Sequence, residues 1–386
     1  MIYLDNSATT QLHPEVLEAM LPWLHHSFGN ASSAHAKGRA ARVAIEQARE
    51  EIAAAIHAHP AEFIFTSGGT ESNNTVIRSC VEESALCDTV AHSAVEHHAV
   101  LGPIEYLASR GIATHTIPVD ENGSISFAHL QRFDTPRTLV SIMHVNNETG
   151  VVNDIARLRA AVPQAYFHTD AVQSLAKMTF NVHENGVDFA TFSAHKIHGP
   201  QGIGGLFIRK GIDFKSHQHG GGQERNRRAG TESVPLIVGF QHALHIALRD
   251  AEHSLAYCRY LITVLRRGIA ERVPNIRFNT PDPEALALTS APSCAPHILN
   301  VSCMDADSID GDAILQLLDL NGIACSNGSA CVSGTMQPSH VLEAMGRSAH
   351  EARAAVRFSV CATTTEEDIR TAIDVFANVM HELRSA

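Results

Sequence analysis

Through the first two-thirds of this chain, short apolar runs alternate with longer stretches of helical periodicity, and the runs end in polar clusters. The runs lie at 62–66, 89–92, 114–118, 138–143, 166–169, 189–193 and 205–209. Each is short, rich in β-branched and aromatic residues, and bounded by turn formers, which marks strands rather than helices. Stretches such as 40–58 and 70–81 carry the 3.6-residue spacing between them. Such alternation specifies an α/β fold, a mostly parallel sheet with helices on both faces. Ligands of these sheets lie beyond the carboxyl ends of the strands, so the polar clusters there are the candidates for chemistry.

After Gly230-Thr231-Glu232-Ser233 the pattern changes. A long helical stretch at 234–272, with a bend, leads to strand patterns at 277–279, 297–303, 323–326 and 356–360. Helical patterns at 307–320, 338–345 and 365–383 alternate with them, and 280–296 reads as a surface loop. The expected organisation is a large domain over 14–255 and a smaller α+β domain built from 1–13 and 256–386.

A length of 386 residues suffices for two such domains. The formal charge of −12 argues against direct nucleic-acid binding by electrostatics, although Arg225, Arg227 and Arg228 form a local basic cluster. No apolar run is long enough to span a bilayer. The first residues, Met1-Ile2-Tyr3-Leu4-Asp5, lack the charged-then-apolar pattern of an export signal, so the expected location is the cytoplasm. Eight cysteines without a C-x-x-C pair fit neither a disulfide framework nor a structural zinc site. The 25 histidines are read as scattered surface and cap residues, with no metal site expected.

Two strand ends carry the sharpest signal. Lys196 closes Ser193-Ala194-His195-Lys196, and Asp170, 26 positions earlier, closes Tyr166-Phe167-His168-Thr169-Asp170. A lysine for covalent attachment and a carboxylate for the ring nitrogen are what pyridoxal 5'-phosphate (PLP) requires. Thr66-Ser67-Gly68-Gly69-Thr70-Glu71 follows a strand and opens a helix, where glycines and free N–H groups suit a phosphate; a plain capped turn is the alternative. His97 opens a further helix, placed to stack on a ring and move protons, or else only to cap. Asn147, in Asn146-Asn147-Glu148-Thr149, suits a phenolic oxygen or a carboxylate, or an Asx turn; Gln173, three residues after Asp170, suits the same oxygen. Cys331, in Gly328-Ser329-Ala330-Cys331-Val332-Ser333-Gly334, reads as an exposed thiol on a loop of small residues rather than a buried one. Arg357 is a charge inside an apolar strand and needs either a substrate carboxylate or an internal Asp or Glu.

Taken together, the chain resembles the cysteine desulfurases of the nitrogen-fixation and iron–sulfur-cluster-assembly branch of the class V aminotransferase family. The resemblance runs from Tyr3-Leu4-Asp5-Asn6-Ser7-Ala8-Thr9-Thr10 to the last helix. It includes Phe28-Gly29-Asn30, the 66–73 loop, Glu96-His97, 143–150, 168–173, 193–200, Gly220-Gly221-Gly222-Gln223-Glu224-Arg225, Gly230-Thr231, Gly328-Ser329-Ala330-Cys331, Pro338-Ser339-His340-Val341-Leu342 and Val356-Arg357-Phe358-Ser359. Ala31 and Ala229 depart from the usual pattern away from the chemistry, and no scaffold-docking extension is expected after the final helix.

The resemblance implies a homodimer of PLP fold type I, with a mostly parallel seven-stranded sheet in the large domain. It implies PLP held by Lys196, with Asp170 on the ring nitrogen, Gln173 at the phenolic oxygen and His97 on the ring. Gly69, Thr70, Ser193 and His195 would take the phosphate, with Thr231 arriving from the partner subunit. Asn147 and Arg357, with Asn30, would bind the substrate, L-cysteine. Cys331 would accept its sulfur and pass it to an acceptor protein serving iron–sulfur clusters, tRNA thiolation or DNA phosphorothioation. Competing expectations are a selenocysteine lyase or other PLP-dependent β-lyase and, outside enzymes, a His/Cys metal-binding or sulfur-carrier protein.

Overall fold

The computed structural model describes residues 1–282, 293–305, 309, 311–328 and 337–385. Its strands in chain order are β1 (Ile2–Tyr3), β2 (Phe63–Thr66), β3 (Thr89–Ser93), β4 (Ala113–Ile117), β5 (Thr138–Ser141), β6 (Val151–Val152) and β7 (Tyr166–Asp170). They continue with β8 (Phe189–Ser193), β9 (Gly204–Ile208), β10 (Ile276–Phe278), β11 (Ser293–Cys294), β12 (Ile298–Cys303), β13 (Ile323–Ala324) and β14 (Ala355–Ser359).

Seven of them form one sheet in the order β2-β9-β8-β7-β5-β3-β4. Neighbours from β4 through β8 run parallel, and only β9 is reversed, pairing antiparallel with both β8 and β2. Every residue of β2, β5, β8 and β9 is buried, as expected of strands covered on both faces. Alternation sorts the side chains. Phe63 and Phe65 join one core with Ile45 and Ile52 of the helix Ala36–Ala55, while Ile64 joins the other with Val76 and Ile77 of the helix Gly69–Arg78. Each fully buried phenylalanine, such as Phe63, Phe192 or Phe207, contributes about 1.5–3 kcal/mol through removal from water.

The sequence-expected strands all appear, within one or two residues at most ends. The helical stretch 234–272 divides at Asp250 into Val234–Arg249 and Ala251–Arg272. The helix expected at 70–81 ends at Arg78, and the chain passes into one wider turn, Ser79–Glu83. The loop expected at 280–296 carries β11, which pairs with β6; residues 283–292 lie outside the described residues.

A second core gathers around the antiparallel sheet β10-β12-β14. Against it pack the helices Ala251–Arg272, Gly311–Leu320 and Glu366–Ser385. The N-terminal segment belongs here: β1 pairs with β13, and Leu4 is part of this core. Among the described residues no helix is long and apolar enough to cross a membrane.

The expected basic cluster is instead tied into the fold. Arg225 meets Glu46 at 3.3 Å, Arg228 meets Glu71 at 2.7 Å, and Arg227 donates to the Ala61 carbonyl. Beside them, the Arg49 guanidinium donates to both carboxylate oxygens of Glu224, at 2.6 and 2.9 Å, with 1% and 3% of the two residues exposed. Glu224 also accepts from the Phe65 N–H, so a loop with three successive left-handed residues, Glu224, Arg225 and Asn226, is pinned to β2. Removing one partner of a buried pair strands a charge. Glu224→Ala is therefore expected to lower stability by about 3–5 kcal/mol in denaturant unfolding, and adding Arg49→Met to recover most of that loss.

Candidate active site

The carboxyl ends of β2, β3, β5, β7 and β8 open on one cavity of about 450 Å³. This is the size of a cofactor or small-ligand site. The turn after β2 brings Gly68, with φ of +149°, to the start of the ten-residue helix Gly69–Arg78. Its close approach depends on other glycines. A Cβ at Gly204 would come within 2.7 Å of Gly68 Cα and 2.5 Å of the Phe192 carbonyl oxygen, and one at Gly69 within 2.8 Å of Val172 Cγ2. The turn is held from below by Glu71, which accepts from the Ser67 N–H while receiving Arg228. Free N–H groups and the positive end of the helix face Ser193 and His195 across a shared surface recess.

After β8 a single 3-10 turn, Ala194–Lys196, delivers Lys196. Its Nζ donates to the carbonyl oxygens of Ser7 and Ala8, each at 2.6 Å. Burial, then the positive charges of Lys177 and Arg357, push the amine down to about 7, against the pull of Asp170 and Asp5. Asp170, at the end of β7, is buried; its Oδ2 accepts from Asn73 Nδ2 at 2.7 Å and its Oδ1 from the Val172 N–H at 3.0 Å. Gln173 donates through Nε2 to the Ser7 carbonyl.

His97 caps the helix His98–Ser109: its Nδ1 accepts from the Ala99 N–H at 3.0 Å. In the neutral ring the proton therefore sits on Nε2. Burial lowers the His97 pKa, against the pull of Asp170, which favours that neutral donor form. Beside it, burial raises Glu96 to about 8, and one of its oxygens, Oε2, has no partner among the described residues.

Arg357, on β14, is 3% exposed and finds the internal carboxylate that one of its two sequence readings called for. It donates to Asp5 Oδ1 at 2.7 Å, to Ser326 Oγ at 2.9 Å and to the Asn147 carbonyl at 2.8 Å. Its buried Nε–H remains without a partner among the described residues. Asn147 lines the same cavity. Gly328 also forms part of the wall and packs on Glu148, whose Oε2 accepts from Ser339 Oγ. Cys331 lies outside the described residues.

Two expected residues stand elsewhere in the single chain. Asn30 is exposed, with its Oδ1 accepting from the Ser32 N–H, and Thr231 is exposed on the surface; neither lines the cavity. Conversely, sequence reasoning passed over Asn73, Asp5, Ser7 and Ala8. Asn73 sits four residues after Gly69, on the same helix face, and that spacing was the available signal. Asp5 and Ser7 follow directly on an apolar strand, another legible cue.

The donor set suits PLP. A lysine amine of lowered pKa, a fixed buried carboxylate, a glycine-opened helix start with Ser193 and His195, and a neutral imidazole surround one cavity. The residue types match the aldehyde, ring nitrogen, phosphate and ring face in turn.

A family model described as Aminotransferase class-V matches residues 2–371, and the chain belongs to that family. It is 41% identical over 390 residues to a curated relative named Cysteine desulfurase IscS, from Dictyoglomus turgidum; the match covers 100% of this chain and 95% of that protein. Among solved structures, a NifS-like protein superposes with a TM-score of 0.88 at 33% identity, covering 99% of both chains. SspA in complex with cysteine follows with a TM-score of 0.76 at 32% identity, over 95% of this chain and 100% of that one.

Because only a neutral amine attacks an aldehyde, capture of added PLP by the cofactor-free chain should accelerate as pH rises through about 7 and level off above it. A lysine of ordinary pKa would keep accelerating toward 10. Absorbance-detected binding rates between pH 5 and 9 check this, with Lys196→Ala as the blank.

Proposed function

We propose that this protein is a PLP-dependent cysteine desulfurase acting in the cytoplasm as a homodimer. L-cysteine and the Cys331 thiol are converted to L-alanine and a Cys331 persulfide, which is handed to an acceptor protein. The observation that carries the reading is the gathering of Lys196, Asp170, His97 and Arg357 around one cavity whose wall includes Gly328, three residues before Cys331. Family membership and the similarity to proteins named cysteine desulfurase support it.

PLP, when bound, supplies an electron sink for bonds broken at the substrate Cα. Every other task falls to side chains. Lys196, whose amine gives up its own proton at about 7, is the base that takes the Cα proton on Nζ. Asp170, fixed by Asn73 and Val172, keeps a positive charge on the ring nitrogen. Arg357 offers its unpartnered Nε–H, and Asn147 its amide, to the substrate carboxylate. His97 presents Nε2–H to the cavity as a donor. Gly69, Thr70, Ser193 and His195 hold the phosphate. Exposed Thr231 is assigned to the second subunit's site, and Asn30 to the rim of the substrate entrance. The Cys331 thiolate forms the S–S bond as the substrate C–S bond breaks.

The two hydrophobic cores support a division into a large domain, 14–255, and a small one made of 1–13 and 256–386. In that arrangement Arg357 on β14 and Gly328 reach the cavity from the small domain.

Cys331→Ala should abolish alanine formation from L-cysteine while the visible absorbance of bound PLP persists. Full turnover in that variant would remove Cys331 from the reaction. Hydride reduction followed by peptide mass spectrometry should place the trapped cofactor on Lys196.

A further inference from the structure

Behind Lys196, on the side away from the main cavity, lies a second cavity of about 100 Å³. Lys177 and Lys196 both line it, together with His198, His297, Cys258 and Cys361. No carboxylate is among the residues lining it. Lys177 Nζ has two polar contacts among the described residues: Gln173 Oε1 at 3.5 Å and His297 Nε2 at 3.4 Å. Neither is a counter-ion. The residue before it, Ala176, holds φ of +56°, a strained conformation that persists only where the surroundings impose it.

Gln173 links the two lysines. Its Oε1 accepts from Lys177, while its Nε2 donates to the Ser7 carbonyl, the same oxygen that receives Lys196 Nζ. An amide can satisfy both ends only in this orientation. Lys177 thus fixes which end of Gln173 faces the main cavity.

We propose that Lys177 is a positioning residue for Lys196: its ammonium, held by no carboxylate, orients Gln173 and faces the Lys196 amine across the shared small cavity.

The groups that face this pair come from several elements. Lys196 and His198 stand on the turn after β8, and His297 on the segment entering β12. Cys258 lies on the helix Ala251–Arg272, Cys361 just after β14 and Arg357 within it; Asp5 and Asp170 act on Lys196 from the opposite side. Burial lowers Lys177 itself to about 8, opposed by Cys258 and by Cys361, whose thiol, against its own burial, is held down to about 6 by hydrogen bonds with His198 and Thr363. Burial and the surrounding cations push His297 well below its usual value, so it stays neutral and adds no charge. Lys177 is consequently charged below about pH 8, the range in which Lys196 gives up its proton near 7.

Removing that positive charge favours a proton on Lys196, so its pKa should rise. The test is trace acetylation of the full chain, freed of cofactor, across pH 5–10, following the Lys196 peptide by mass spectrometry. In Lys177→Met and Lys177→Gln the midpoint of Lys196 reactivity should move up by about one pH unit or more, and in Lys177→Arg it should not move up. A purely structural role would not distinguish the arginine from the neutral variants in this way. The neutral variant whose near-ultraviolet circular dichroism matches the parent decides the outcome, and Gln serves if Met does not fold. An unchanged midpoint there, or an equal rise with arginine, overturns the proposal. In the PLP-loaded protein the visible band should titrate with the same upward displacement. Acetylation that shifts while no visible band forms would count against the desulfurase reading and in favour of this one.

Discussion

The buried guanidinium of Arg357 is the contact on which the arrangement turns. With 3% of the residue exposed, it joins three parts of the chain: Asp5 near the amino terminus, Ser326 after β13, and the Asn147 carbonyl beyond β5. Asp5 is 352 positions away in sequence yet belongs with β14 to the small unit, whereas the Asn147 carbonyl reaches the same guanidinium from the large one. Leaving such a cation without its carboxylate costs about 3–5 kcal/mol, a large share of the stability of a typical domain. Holding Asp5 also holds Ser7 and Ala8, whose carbonyls receive Lys196. Assembly of the surroundings of Lys196 is therefore a consequence of packing the small unit, not of the large sheet alone.

Charge is distributed against the global trend. The chain carries −12 overall, yet its central cavity sets Lys196, Arg357 and, just behind, Lys177 against Asp170 and Asp5. Within that mixed lining, the helix start at Gly69 suits a phosphate and Arg357 suits a carboxylate.

Much of this was legible in the sequence, for physical reasons. Strands covered on both faces are continuous apolar runs, as β2, β5, β8 and β9 are, while the edge strand β4, mostly exposed, was readable from its β-branched residues. Lys196, Asp170, His97 and the Gly68-Gly69 turn were readable because strand ends leave few roles for polar clusters. The break at Asp250 was not, since Arg249-Asp250-Ala251-Glu252 is as helix-compatible as its flanks. Arg357 looked like a choice between a substrate and an internal carboxylate; the fold supplies the internal one, and Nε has no partner among the described residues. Asn73, Asp5 and Ser7 escaped because they act through another residue, by hydrogen bonds that join distant segments. Asn30 and Thr231 are surface residues that do not line the cavity, so the geometry of this chain does not tie them to it.

The amino-terminal octapeptide has an effect out of proportion to its length. It adds two residues to the edge of β13 and one leucine to a core, so trimming it would leave the seven-stranded sheet with all its neighbours. The same cut would strip two acceptors from Lys196 and the counter-ion from Arg357. A clipped or awkwardly tagged preparation would thus keep its main sheet while losing both the setting of Lys196 and, through the stranded Arg357 cation, much of the small unit's stability.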